Sequence, residues 1–199
     1  MRRRALLATL GLLAGCSTSP TPTLFTLAAK PGPTNRIAAR SVGVRRVALA
    51  GYLDRPEIVR SDTDYRIRLT TNERWGEPLG SMFDRVLTEE LVQRLPGTAV
   101  FSESGAITSS PDLVLEIDVQ RFDLDSSGVV MLLAQVAVRN GDSHEHTNAR
   151  TLRFTTKPAS AATSDYVAAM SDALGQFADA VSEMLAQAAG GARRPRSRS

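Results

Sequence analysis

The chain has 199 residues, 42% of them hydrophobic, and a formal net charge of +3. That length supports one domain with a real core and not comfortably two. Its charge is uneven: Arg2, Arg3 and Arg4 open the sequence, and Arg193, Arg194, Arg196 and Arg198 nearly close it, so setting those seven aside takes +3 to −4. A body of that sign, with only 5% aromatic residues, lacks the basic, aromatic-studded face that nucleic acid requires.

The first element is not part of a fold. A basic start, a short apolar run from Ala5 to Leu13, and small residues before Cys16 describe a signal sequence; a membrane span would need about 20 apolar residues. "LAGC" at Leu13–Cys16 resembles the bacterial lipobox. Residues 1–15 are therefore read as a lipoprotein signal peptide, and Cys16, the only cysteine, as the attachment point of a covalent N-acyl diacylglycerol. Each buried acyl methylene contributes about 0.8 kcal/mol, so two or three chains anchor firmly. Residues 16–22, rich in Ser, Thr and Pro, read as a tether. Ser17 is not aspartate, which by resemblance to diderm lipoproteins favours the periplasmic leaflet of the outer membrane.

Residues 23–189 are expected to form the single domain. "TLFTLAA" (23–29) at its start is strand-like, and "KPGPTN" breaks it. "SVGVRRVALA" (41–50) is a strand whose apolar parity changes at Arg45–Arg46, which predicts a bulge there. "EIVR" and "YRIRLT" around the polar "SDTD" predict a hairpin. From Leu79 to Leu95, Met82, Phe83, Val86, Leu87 and Leu91 recur at helical spacing, and Pro96–Gly97 ends the run.

"TAVF" is a short strand. "PDLVLEIDVQRFDLD" alternates through Leu113, Leu115, Ile117 and Val119, then shifts parity to Phe122. "SGVVMLLAQVAVRN" is apolar on both faces, predicting an interior strand covered on two sides. "NGDS" is a turn, and "RTLRFTT" pairs back. Ser164 to Ala188 is a second amphipathic helix, with Thr163 or Ser164 as N-cap and Gly190–Gly191 as stop. The expected fold is α/β (α+β): a mixed, largely antiparallel sheet packed with two main amphipathic helices. The Arg-rich tail, residues 190–199, reads as disordered and solvated, or as a contact for anionic headgroups.

Chemistry-bearing patterns are scarce, and an enzyme is not expected. His144 and His146 flank Glu145, too few ligands for a zinc site and not the helical spacing of a metalloprotease motif. "SESG" at Ser104 is not a nucleophile elbow. The distinctive region is 51–95, where a Tyr-Leu-Asp-Arg-Pro turn precedes a hairpin and then Trp75 at the mouth of a helix. Trp75 reads either as packing over that helix start or, with Tyr52, Leu53, Asp54, Arg55 and Pro56, as a partner-binding patch.

"YLDRPEIV", "Y-x-I-x-L" and "RWGEPL" leading into an amphipathic helix resemble the ABC-type transport auxiliary lipoproteins, the PqiC/YmbA group. The lipobox, the size and the "DLVLEIDVQRF" strand agree with that resemblance. Gly76 stands where family members commonly carry alanine, and the Arg-rich tail lies outside the shared pattern. The resemblance implies an outer-membrane lipoprotein, non-catalytic, that docks on an MCE-domain protein and through it serves an ABC permease and ATPase in lipid transport. It also implies a homo-oligomeric ring as the docked form. Two other readings remain: an envelope lipoprotein assisting assembly of another outer-membrane complex, and a carrier holding lipid in its own core.

Overall fold

The computed structural model describes residues 21–63, 65–103, 105–106, 110–143 and 146–191. Cys16, Ser104, His144, Glu145 and the four tail arginines lie outside the described residues. The elements in chain order are β1 (Thr23–Phe25), β2 (Ser41–Val44), β3 (Ala48–Leu49), β4 (Glu57–Thr63), β5 (Arg66–Trp75), α1 (Leu79–Arg94), β6 (Ala99–Ser102), β7 (Leu113–Leu124), β8 (Val130–Asn140), β9 (His146–Thr156) and α2 (Thr163–Gly191). These nine strands form one mixed sheet.

β7 is the spine of the sheet. Along one edge it pairs antiparallel with β8, which pairs antiparallel with β9. Along its other edge β2, β3 and β4 follow one another, each parallel to it, at Leu113–Leu115, Asp118–Val119 and Leu124. Instead of the expected single strand with a bulge at Arg45–Arg46, the strand is interrupted there into β2 and β3, and the Arg45 amide still bonds the Leu115 carbonyl at 2.9 Å. The parity change in "IDVQRF" is a bulge in β7 between Val119 and Arg121, which returns Phe122 to the core face.

Both helices cover one face of this sheet. The α1 stripe of Leu79, Met82, Phe83, Val86, Leu87 and Leu91 is buried against Leu115, Val119, Phe122 and the inward face of α2. Phe83 is the hub, packing edge-on against Phe122 at 5.6 Å and Phe177 at 5.8 Å between ring centroids. Burial of each such side chain contributes about 1.5–3 kcal/mol. Gly97, at φ 87°, reverses the chain after α1 in a conformation that favours glycine.

Two expectations need correction. β8 lies inside the sheet but is not covered on two sides: Leu132, Ala134, Val136 and Val138 are buried under the helices, whereas Gln135 on the other face is exposed and Leu133 and Ala137 are half-buried. Met131 alone is buried on that face, so the apolar look needs no second layer. α2 begins one residue earlier than expected, and the amides of Asp165 and Tyr166 bond the Ala162 carbonyl. The Thr163 hydroxyl is committed elsewhere, donating to Glu73 Oε2 at 2.6 Å and accepting from Arg60 Nη2 at 2.7 Å.

A strap crosses the two helices. After β1, the chain from Thr26 to Asn35 has no regular structure, yet its backbone is fixed by polar groups of α1 and α2. The amides of Ala28 and Lys30 bond Ser171 Oγ at 3.1 Å and Glu90 Oε1 at 2.8 Å. The Asn35 amide bonds the Arg94 carbonyl at 2.6 Å. Arg94, buried within α1, donates from Nη1 to the Lys30 carbonyl at 3.0 Å and from Nη2 to the Gly175 carbonyl at 3.1 Å. Coil survives here because its backbone polar groups find fixed partners.

Candidate docking site: a turn and a projecting ribbon

The Tyr-Leu-Asp-Arg-Pro turn is held at both ends by the sheet. The Ala50 amide bonds the Val119 carbonyl at 2.9 Å, and the Leu53 amide closes the turn on the Ala50 carbonyl at 2.9 Å. At its far end the Trp75 amide bonds the Pro56 carbonyl at 2.8 Å. Leu53 is 1% exposed and Trp75 5% exposed, both within the main core. Those two side chains therefore hold the turn down, and the surface it offers comes from exposed Asp54 and Pro56 with half-buried Tyr52 and Arg55. The six sequence candidates are brought together, but as a surface of four over a footing of two.

Tyr52 reaches from this turn into a polar network. Asp123, fully buried, accepts from Ser61 Oγ at 2.7 Å and pairs with Arg121 at 3.0 Å. The Tyr52 phenol faces Arg121 and Asp123, and its pKa is pushed up to about 12, first by burial and then by the Asp123 charge. A cavity of about 660 Å³ opens over the network and is also lined by Thr63 and Tyr65. A carboxylate matched by an arginine, a serine and a phenol orders a surface; it offers no free base. Among the described residues, no group of three or more His, Cys, Asp or Glu side chains is placed to hold a metal ion.

The hairpin of β4 and β5 projects from the domain. Every β5 side chain from Arg66 to Arg74 is exposed or half-buried. Five large apolar side chains are exposed among the described residues, and four lie on this ribbon and its neighbour β1: Leu24 (62%), Tyr65 (98%), Ile67 (41%) and Leu69 (39%). Arg66 and Arg68 both bond Asp62, Arg68 at 3.1 Å, and hold its carboxyl below the usual range. "YRIRLT" reads as a strand in the sequence, and its alternation of arginine with Ile67 and Leu69 is the one local signal of its exposure.

The described residues thus form an open mixed sheet with two helices on one face, and a fixed turn and an exposed ribbon are its most differentiated surface. The chain belongs to the ABC-type transport auxiliary lipoprotein component family, whose model matches residues 23–182. No curated protein matches it. Two crystal structures share its fold. One, of an uncharacterized protein, has 19% identity and a TM-score of 0.69 and covers 83% of this chain and 99% of its own. The other, from Xanthomonas campestris, has 18% identity and a TM-score of 0.67, covering 86% and 96%. No described helix is long and apolar enough to cross a membrane.

Proposed function

We propose that this protein is the outer-membrane lipoprotein subunit of an MCE/ABC-type intermembrane lipid transport system. In this reading Cys16 carries the acyl anchor in the periplasmic leaflet, and the domain is a non-catalytic receptor for the periplasmic end of an MCE-domain protein, itself served by an ABC permease and ATPase. Family membership across residues 23–182 carries the reading. The turn supports it physically: Tyr52, Asp54, Arg55 and Pro56 are displayed on a footing of Leu53 and Trp75 that binding need not reorganise. The core is filled by interlocked side chains such as Phe83, Phe122 and Phe177, which favours a docking role over carriage of lipid inside the domain.

The test is Cys16→Ala. The domain is expected to fold and melt as the parent does, to leave the membrane fraction, and to fail to restore envelope integrity in a deletion strain. A Cys16→Ala protein that stays soluble and restores integrity would overturn the anchored-receptor reading. Co-purification from native membranes, with mass spectrometry of the partners, separates an MCE system from the assembly machinery of another outer-membrane complex.

A further inference from the structure

β1 joins the sheet parallel to β5, with Thr23 opposite Glu73 and Phe25 opposite Trp75. β5 runs from the hairpin tip at Arg66 to its base at Trp75, so the chain preceding Thr23 enters from the tip side. Seven residue steps separate Cys16 from Thr23, a reach of at most about 25 Å. Seven steps of β5, from Arg66 to Glu73, cover about 23 Å. A bilayer holding acyl chains on Cys16 therefore lies within about 25 Å of Thr23, a span that reaches the level of the hairpin tip.

The tip is suited to a bilayer surface. Tyr65 is almost fully exposed, and Ile67 and Leu69 follow it on alternate positions. An exposed aromatic beside aliphatic side chains gains most where acyl chains meet headgroups. Asp62 already pairs Arg66 and Arg68, so attraction to anionic lipid is a small part of the contact. The Pro56 end of the turn sits at the base of β5, beside Trp75, whereas Tyr52 lines the cavity that Thr63 and Tyr65 share.

We infer that the tip of the β4–β5 hairpin, through Tyr65 and Ile67, rests in the headgroup interface of the phospholipid bilayer that holds the anchor. This rests on the acylated-Cys16 reading. A second copy of the chain is the competing occupant.

The experiment uses the full processed, acylated protein, in which Cys16 leaves no free thiol. Thr63→Cys at the tip and Val92→Cys on exposed α1 are labelled separately with an environment-sensitive fluorophore. Each is reconstituted in phosphatidylethanolamine–phosphatidylglycerol vesicles and in pure phosphatidylcholine vesicles. The Thr63→Cys label is expected to brighten several-fold, shift to the blue and be quenched by brominated lipid in both compositions, while the Val92→Cys label stays in water. Tyr65→Asp with Ile67→Asp is expected to abolish the change while the protein still floats with vesicles. A floating protein whose tip label remains in water overturns this inference alone. A tip label already shielded in dilute detergent before vesicles are added assigns the ribbon to a second copy and overturns it too. An unmodified Cys16, seen by mass spectrometry, removes the anchor reading and this one with it.

Discussion

Arg94 of α1 and Asp179 of α2 form an ion pair at 2.6 Å in which the arginine side chain is 1% exposed and the aspartate 37%. The pair joins both helices to the strap, because the same guanidinium also bonds the Lys30 and Gly175 carbonyls. Arg94→Met keeps the volume and removes every donor. It is expected to cost about 2–4 kcal/mol, chiefly from buried carbonyls left without partners. Arg94→Lys should recover only part of this, since an ammonium cannot reproduce the fork. Urea unfolding midpoints of the three proteins check both statements.

Glu90 sets a dependence of stability on pH. Burial pushes its pKa up to about 7, against the Lys30 amide and Arg94, which pull it down; Asp179 and Glu89 add to the rise. Asp84 is likewise raised, to about 6, by burial. A carboxyl that titrates higher in the folded chain than in the unfolded one holds an extra proton between the two values, so stability falls as pH rises through that window. The protein is therefore expected to melt higher at pH 5 than at pH 8. Glu90→Gln keeps an oxygen for the Lys30 amide and loses the charge, so it should raise the melting temperature at pH 8 and flatten the profile. Equal melting of the parent at both pH values would contradict this assignment.

The same two side chains mark where sequence reading stops. The apolar stripes of α1 and α2, the hairpin and the bulge before Phe122 were legible because spacing alone encodes which side faces a core. Glu90 and Arg94 fall on α1 as ordinary polar residues, and nothing local says that a strap from the N-terminal segment will cover them. The end-to-end placement of β2, β3 and β4 along one edge of β7 was hidden for a similar reason, because register between distant strands leaves no periodic trace. At the site, Leu53 and Trp75 look like hot-spot residues by type, and only tertiary packing reveals them as the footing.

Thr163 couples the ribbon to α2. Its hydroxyl bonds Glu73 on β5 and Arg60 on β4, and Arg60 also lies 5.1 Å over the Tyr166 ring. Thr163→Val should cost on the order of 1 kcal/mol globally. Its larger effect should be local: amides in β5 are expected to exchange hydrogen faster while those of β7 and β8 keep their protection. Uniform acceleration across the sheet would mean that the ribbon is not a separately held unit.

Tyr52 allows docking to be separated from structure within one position. Its ring lies half-buried at the edge of the turn, and its hydroxyl serves the Arg121–Asp123–Ser61 network. Tyr52→Phe keeps the ring and removes the hydroxyl beside Arg121 and Asp123, a loss of about 1 kcal/mol or less. Capture of the proposed MCE-domain partner should survive that change. Tyr52→Ala and Arg55→Ala remove displayed surface and should weaken capture about tenfold or more, as truncation of a hot-spot side chain does. Because Leu53 and Trp75 still hold the backbone of the turn, neither alanine variant should lower the melting temperature much beyond Tyr52→Phe. Pull-down and thermal melting of the three proteins decide it: alanine variants that capture the partner like the parent would remove the turn from the docking surface.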